Sequence, residues 1–301
     1  MKETMQALSQ LEGDVIENEQ LKNHTTWKIG GPASLFFEPH SIEALKQGIG
    51  IIHDEGIPWF VLGRGSNLLI SDKGIDGVVI KLGEKLSDYS LEGNILRVGA
   101  GYSLIKLATI ISKKGYSGLE FAAGIPGTVG GAIFMNAGAH GSDVSKILTR
   151  AHVLFPDGSM KWIENKDMAF SYRTSRLQTE KGIVIEGEFE LQQGDAQVIK
   201  QELQKNKDYR RDTQPWNYPC CGSVFRNPLP RYAGQLIEES GLKGFSVGGA
   251  QVSTVHANFI VNKGDATSKD VLNLIKHIQN TIFEKYHVKM ETEVEQVGNS
   301  D

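Results

Sequence analysis

The chain has 301 residues, of which 40% are hydrophobic and 23% charged, and its formal net charge is −4. This length predicts two or three modules, and this composition excludes extended disorder and a fibrous architecture. No basic block or basic helix face stands out, which argues against a nucleic-acid surface. No apolar run reaches the ~18 residues that span a bilayer, and the acidic start lacks a signal-peptide core. We therefore expect a cytoplasmic protein without membrane association.

The first 193 residues are predicted to form two α/β modules that follow a lead segment, 1–23. The signals are helix caps, apolar periodicity and a hairpin turn at Pro156-Asp157-Gly158. The predicted elements are a helix over 41–55 capped by Ser41, strands over 59–62, 78–80 and 95–98, a helix from Ser103, hairpin strands over 151–155 and 160–163, and a strand over 183–191. These elements place the two modules at about 24–84 and 85–193.

The pattern turns polar near 192–195, and we place the main domain boundary there. The C-terminal domain, 194–301, is predicted to contain helices over 196–211, 233–239 and 268–286 and a long loop over 213–231. Its only two cysteines, Cys220 and Cys221, are adjacent, a spacing that suits neither a cross-link nor a metal site. We therefore expect no disulfide and no metal.

Glycine is the unusual feature of the composition, at 34 residues, about 11% against a typical ~7%. Six glycines lie in residues 124–141, the glycine segment, where small side chains let a flat ring or a diphosphate approach the backbone. Glycine content alone is more typical of a tightly packed core. The glycine loop, residues 62–69, favours a cofactor because it follows a strand directly, as a phosphate-binding loop does. Gly63-Arg64-Gly65 and Gly99-Ala100-Gly101 each lack the third glycine of G-x-G-x-x-G, so a nicotinamide-type fold is not indicated.

Several motifs in this order resemble one family closely. They are GGPA at 30–33, LGRGSNLL at 62–69, GIPGTVGGAIFMNAGAHG at 124–141, SYR at 171–173, RRDTQP at 210–215, CGSVFRNP at 221–228 and GLKGFSVGGAQVSTVHANFIVN at 241–262. The chain resembles the UDP-N-acetylenolpyruvoylglucosamine reductase (MurB) family from 24 to 294. The resemblance implies an α+β protein, with a vanillyl-alcohol-oxidase-type FAD-binding domain of two α/β subdomains and a C-terminal α/β substrate-binding domain.

The resemblance also implies the reaction, which is NADPH-driven, FAD-dependent reduction of UDP-N-acetylglucosamine enolpyruvate to UDP-N-acetylmuramate for peptidoglycan synthesis. The FAD is expected to be non-covalent, and NADPH is expected to leave before the sugar nucleotide enters much the same site. That order would account for the missing nicotinamide fingerprint. The implied partners are small molecules only, with no nucleic acid and no obligatory protein partner.

Three residues match the family's catalytic positions. Arg173 is expected to stabilise the substrate carboxylate and the enolate, and Ser223 to give a proton to C2. Glu293 is the third, chosen from a run in which Glu291 and Glu295 alternate with it on a possible strand face. Cys221 competes with Ser223 as a more acidic donor.

The resemblance further implies a set of binding residues. Those expected to bind the cofactor are Gly63, Arg64, Gly65, Ser66, Asn67, Gly124, Ile125, Pro126, Gly127, Thr128, Gly130, Gly131, Asn136, Ala137, Gly138 and Arg211. Those expected to bind the substrate are Gln214, Arg226, Asn227 and Tyr232. The family's tyrosine-bearing loop is missing between 173 and 196, which indicates the shorter-loop subtype and leaves Tyr232 to close over the substrate.

Two other functions compete with this one. An oxidase with the same flavin domain could tether its flavin covalently, for example through His140. A non-catalytic flavin or sugar-nucleotide sensor could retain the fold. The motif CGSVFRNP and the C-terminal block argue against the oxidase, and the three catalytic matches argue against the sensor.

Overall fold

The computed structural model describes residues 1–299, which fold into a mixed α+β structure of two compact units. The first unit comprises Met1–Glu17, Leu35–Gly63 and Gly77–Arg210. The second comprises Asn18–Ser34, Arg64–Asp76 and the chain from Arg211 onward. Each unit is therefore discontinuous in sequence, and the chain passes between them several times. No helix among the described residues is long and apolar enough to cross a bilayer.

Seven α-helices occur in residues 1–299. They are α1 Lys2–Leu8, α2 Ile42–Asp54, α3 Leu104–Lys113, α4 Val129–Met135, α5 Ala196–Thr213, α6 Ala233–Glu239 and α7 Ser268–Tyr286. The predicted N-cap Ser41 accepts a hydrogen bond from the amide of Ala44 at 3.2 Å. Ser103 precedes α3 as predicted but makes no capping bond with its side chain. Because caps and apolar periodicity are local signals, the predicted helices agree with those observed to within two residues at their ends.

The strands are mostly short. They are β1 Gly13–Gln20, β2 Pro32–Pro39, β3 Trp59–Leu62, β4 Leu68–Ile70, β5 Ile75–Lys81, β6 Tyr89–Glu92, β7 Ile95–Gly99, β8 Tyr116–Ser117, β9 Gly138–Ala139, β10 Ser142–Asp143, β11 Leu148–Leu154, β12 Met160–Glu164, β13 Ile183–Glu190, β14 Gln192–Gln193, β15 Ser246–Val247, β16 Ala250–Val252, β17 Ile260–Asn262 and β18 Glu295–Val297. The predicted lead segment 1–23 holds α1 and β1, which short-range patterns did not reveal.

In the first unit a five-stranded antiparallel sheet, ordered β12-β11-β13-β7-β6, carries most of the core. The predicted hairpin is confirmed: β11 pairs with β12, and the Phe155 amide bonds the Ser159 carbonyl across the turn at 2.9 Å. Helix α4 packs on β13, where a Cβ at Gly187 would lie 2.7 Å from Ile133 Cδ1. This close approach fixes the glycine segment against the sheet.

A four-stranded sheet has the order β1-β2-β5-β3, and β3 pairs with β5 in parallel. In the second unit a three-stranded sheet, β15-β16-β17, packs against α7. The apolar face predicted for α7 is buried as expected, through Val271, Leu274, Ile275, Ile278 and Ile282. Another pairing in this unit, between β4 and β18, is parallel and joins strands that are very distant in sequence.

Candidate active site

The glycine segment is partly helical, because α4 occupies its middle. Thr128 caps α4 through a bond from the Gly131 amide at 3.3 Å. Gly130 lies against Ala100, where an added Cβ would approach the Ala100 Cβ to 2.8 Å, so this glycine serves packing. An added Cβ at Gly63 would come 2.8 Å from Thr128 Oγ1. The glycine loop and the glycine segment therefore meet in the first unit, as a shared cofactor site requires.

Arg210 is a residue of this region that the sequence patterns did not single out. Its side chain covers Gly124 so closely that a methyl group there would overlap it. Only its place in the RRDTQP motif could have indicated it. The neighbour that was predicted instead, Arg211, is exposed and pairs with Asp212 at 3.3 Å in the second unit.

Arg173 lies in a tight turn of the first unit. Ser171 and Thr174 exchange two backbone hydrogen bonds of 3.1 Å, and Arg173 between them has a left-handed φ of 57°. One guanidinium nitrogen donates to the Gly138 carbonyl at 2.8 Å, and the guanidinium lies 5.0 Å from the centre of the Tyr172 ring. This turn thus holds the arginine beside the C-terminal part of the glycine segment.

Asn136, predicted to bind the cofactor, fastens that turn to α4. Its side-chain amide donates to the Ser171 carbonyl at 3.0 Å and accepts from the Ser145 amide at 3.0 Å. Asn136 itself is buried and left-handed, with a φ of 44°, which an asparagine tolerates better than most residues. Its side chain therefore supports the Arg173 turn in this structure.

The second unit contains the rest of the glycine loop. Gly65 has a φ of 59° and lies against Thr25, whose neighbour Thr26 donates its amide to the Gly65 carbonyl at 3.2 Å. The Asn67 side chain donates to the Glu293 carbonyl at 3.1 Å across 226 positions of sequence. Glu293 and the glycine loop are consequently neighbours within this unit.

Ser223 and Glu293 lie on adjacent backbone segments of the second unit. The Glu293 amide donates to the Val224 carbonyl at 2.8 Å, and the Arg226 amide to the Glu291 carbonyl at 2.9 Å. Phe225 and Thr292 form an isolated antiparallel bridge between these bonds. Two of the three predicted catalytic residues are thus brought together by backbone pairing, and both side chains are half-buried.

The predicted strand over 291–295 is wrong in extent, because β18 begins only at Glu295. Its alignment is set by parallel pairing with β4, which no local pattern shows. Glu291 and Glu295 are exposed, whereas Glu293 is half-buried beside the Ser223 segment. The exposure of Glu291 and the backbone pairing of Glu293 with the Ser223 segment favour Glu293 as the functional carboxylate. Desolvation raises the pKa of the Glu295 carboxyl, but Glu295 pairs with β4 and not with the Ser223 segment.

Cys221 is buried, with 2% of its surface exposed. Desolvation by burial, reinforced by Cys220 and Glu293, raises the pKa of the Cys221 thiol well above its ordinary value. A thiol is ordinarily more acidic than a hydroxyl, which is why Cys221 competes with Ser223. Burial makes this thiol less acidic and leaves it almost without exposed surface, whereas Ser223 is half-buried, so the structure favours Ser223.

Two predicted substrate residues lie around the start of α6. The Asn227 side-chain oxygen accepts from the Ala233 amide at 3.0 Å, which satisfies one of the orphan amides at the start of that helix. Tyr232 precedes α6 and is 59% exposed, as a side chain that covers a ligand would be. Of the others, Arg226 and Gln214 are half-buried in the same unit.

A separate open cleft of about 680 Å³ lies within the second unit. Its lining includes Lys22, Lys28 and Lys263 together with Asp72 and Asp265, and none of the predicted site residues. Asp72 there accepts bonds from the Ser268 amide and hydroxyl, both at 2.8 Å, and so caps α7. No cluster of potential metal ligands occurs among residues 1–299.

Family models match two parts of the chain. Residues 33–164 match the FAD binding domain, and residues 214–297 match the C-terminal domain of UDP-N-acetylenolpyruvoylglucosamine reductase. Together with the meeting of the glycine loop and the glycine segment, these matches define a flavoprotein. Its FAD-binding domain is followed by a reductase-type C-terminal domain. The first match includes the glycine loop, the glycine segment and the β11–β12 hairpin; the second includes Ser223 and Glu293.

Full-length relatives identify the family. A UDP-N-acetylenolpyruvoylglucosamine reductase of Halalkalibacterium halodurans is 61% identical over 299 residues, 99% of each chain. The crystal structure of MurB from Thermus caldophilus is 36% identical and matches with a TM-score of 0.83, over 95% of this chain and 99% of that one. The chain belongs to the UDP-N-acetylenolpyruvoylglucosamine reductase family, which uses FAD and NADPH. The predicted family and cofactors are confirmed.

A more distant structure bears on the fold alone. Alkyldihydroxyacetonephosphate synthase, at 14% identity, matches with a TM-score of 0.51 over 64% of this chain and 41% of its own. This likeness agrees with a vanillyl-alcohol-oxidase-type FAD domain. The predicted fold class is therefore confirmed.

Proposed function

We propose that this chain reduces the enolpyruvyl ether of UDP-N-acetylglucosamine to UDP-N-acetylmuramate in the cytoplasm, as a step of peptidoglycan precursor synthesis. Its substrates are the sugar nucleotide and NADPH, and it needs neither a membrane nor a protein partner. The observation that supports this most is the backbone pairing of the Ser223 and Glu293 segments, joined by the Glu293 amide and the Val224 carbonyl at 2.8 Å.

The residues of the first unit suit FAD. The Thr128 side chain lies where a Cβ at Gly63 would be, so the two segments approach closely, and Gly141 has open space beside its α-carbon. Backbone amides in such a groove can face a diphosphate. When bound, FAD supplies the redox chemistry that carries a hydride equivalent from NADPH to the substrate.

Arg173 acts on the substrate carboxylate. Hydride addition to the vinyl carbon breaks the carbon–carbon double bond and pushes its electron pair toward C2 and the carboxylate. A guanidinium fork can donate to both carboxylate oxygens and stabilise the resulting enolate. The closed turn and the bond to Gly138 hold that fork in one orientation before the substrate arrives.

Ser223 completes the reaction by giving its proton to C2. The double bond thereby gains one hydride and one proton, NADPH is oxidised to NADP⁺, and the serine regains its proton from solvent. A free hydroxyl is a weak acid, so it needs an anionic intermediate beside it and a neighbouring group to hold it. Glu293, on the adjacent segment, is the group we assign to that task.

Product formation tests this function. The purified protein, incubated with NADPH and the enolpyruvyl sugar nucleotide, should yield a product heavier by two hydrogen atoms, which mass spectrometry detects. UDP-N-acetylglucosamine without the enolpyruvyl group is the matched control and should remain unchanged. NADPH-dependent flavin reduction with no such product would contradict the proposal and favour a sensor.

A further inference from the structure

A buried asparagine holds the segment that follows Ser223. Asn258 has 3% of its surface exposed, and its side-chain amide donates to the Phe225 carbonyl at 2.8 Å. The Asn258 side-chain oxygen accepts from the Phe225 amide at 3.0 Å. Both main-chain polar groups of Phe225 are therefore bonded to one side chain, as they would be to a neighbouring strand.

The same segment is held by backbone bonds on both sides. The Val224 amide donates to the Asn258 carbonyl at 2.8 Å, and the Val224 carbonyl accepts from the Glu293 amide at 2.8 Å. Ser223 directly precedes this doubly held dipeptide. Its backbone position is consequently fixed between Asn258 and the segment that carries Glu293.

Only a side chain with both a donor and an acceptor at this reach can replace Asn258. A carboxylate offers acceptors alone, and an aliphatic side chain offers neither. Loss of either bond would leave a polar group of Phe225 buried without its partner, because Phe225 is 1% exposed. Phe225 would then shift, and Ser223 with it.

We propose that Asn258 is a positioning residue, which acts through Phe225 and Val224 to present the Ser223 hydroxyl to C2 of the substrate. This inference rests on the proposed proton transfer from Ser223. It gives a positioning role to one residue of the motif at 241–262, in which we place no catalytic residue. Asn258 does not touch the substrate in this account and does not affect flavin reduction by NADPH.

The variant Asn258→Asp tests the proposal in the FAD-loaded protein. A neutral carboxyl can still donate to the Phe225 carbonyl and accept from its amide, whereas the ionised form cannot donate. Burial raises the pKa of such a carboxyl above its ordinary value of about 3.9, and the donor is lost as pH rises through the raised pKa. We expect reoxidation of the reduced flavin by the enolpyruvyl sugar nucleotide to slow at least tenfold from acid to alkaline pH, relative to the unsubstituted protein. Reduction by NADPH should keep its original pH profile.

Asn262→Asp is the matched control. Asn262 is buried in the same unit and bonds the Trp27 carbonyl and the Gly264 amide, at 3.1 and 2.9 Å, rather than Phe225. We expect no comparable slowing at alkaline pH. An Asn258→Asp profile that follows the unsubstituted protein, or an equal slowing in Asn262→Asp, would overturn the proposal.

A second variant covers the case in which Asn258→Asp does not fold. Asn258→Ser keeps a polar group but cannot reach both Phe225 positions, so reoxidation should slow about tenfold with flavin reduction unchanged. An unaltered reoxidation rate would overturn the inference. If Ser223 were not the proton donor, Ser223→Ala would reoxidise at the normal rate. That result distinguishes failure of the proposed proton transfer from failure of the role inferred for Asn258.

Discussion

Ser223→Ala should leave the reduction of flavin by NADPH intact and slow its reoxidation by the enolpyruvyl sugar nucleotide by about 10²- to 10⁴-fold, the usual contribution of a positioned acid. The reason is that hydride addition to the vinyl carbon is reversible until C2 is protonated, so net reoxidation depends on the hydroxyl, whereas reduction by NADPH does not involve it. Stopped-flow absorbance of the flavin, with each substrate mixed separately and without oxygen, measures the two half-reactions.

Two further variants make this result specific. Ser240→Ala removes a hydroxyl of the same unit that bonds only the Leu236 carbonyl, at 2.8 Å, and should not change reoxidation. Cys221→Ala should also keep the original reoxidation rate, because that thiol is 2% exposed and burial raises its pKa. Fast reoxidation in Ser223→Ala together with slow reoxidation in Cys221→Ala would reverse the assignment.

The second large effect is expected at Arg173. Arg173→Ala should slow reoxidation by about 10²- to 10³-fold, by analogy with the loss of one donor from an oxyanion hole. Arg173→Lys should recover only part of the lost rate. Lysine keeps the positive charge but lacks the fork that matches two carboxylate oxygens. In the proposed function the guanidinium also binds the ground-state carboxylate, so we expect KM for the sugar nucleotide to rise as well.

Arg176→Ala is the control for charge in this region. Arg176 pairs with Glu180 at 2.8 Å and lies three positions from Arg173 in the same unit. Its removal should leave both half-reactions near the original rates, since such partly exposed pairs contribute little. Comparable losses in the two variants would mean that general charge, and not the Arg173 fork, supports catalysis.

Elements with local signals could be predicted from the sequence. Helix α7 has an apolar stripe, and its cap Thr267 forms a capping box with Asp270, so its bounds follow from short-range chemistry. The β11–β12 hairpin follows from its turn residues in the same way. In the site, the glycine loop and the glycine segment were conspicuous for the same reason, since glycine is needed wherever backbones approach closely.

Long-range pairing could not be predicted in this way. The contact of Asn67 with Glu293 joins residues 226 positions apart. The parallel strands β4 and β18 are not joined by a turn whose residues would predict their pairing. The discontinuous units have the same cause, because strands that neighbour each other in a sheet, such as β2 and β5, are separated by other elements in the chain. The role of Asn258 could not be predicted, because its sequence context does not show that its side chain bonds the backbone of Phe225.

The glycine segment shows how the two kinds of information differ. Glycine richness suggested either a cofactor site or close packing. The structure shows packing of Gly130 against Ala100, and a close approach of Gly63 to Thr128 that joins the two glycine-rich parts. The roles of the individual binding residues stay predictions. Asn227, for example, bonds the start of α6 in this structure.

The most direct measurement is a two-step flavin titration of the unsubstituted protein without oxygen. NADPH should first bleach the yellow absorbance of the bound FAD, and one equivalent of the enolpyruvyl sugar nucleotide should then restore the oxidised spectrum. Restoration means that electrons pass from the flavin to the substrate double bond. Bleaching that this sugar nucleotide fails to reverse would contradict the proposed reductase activity.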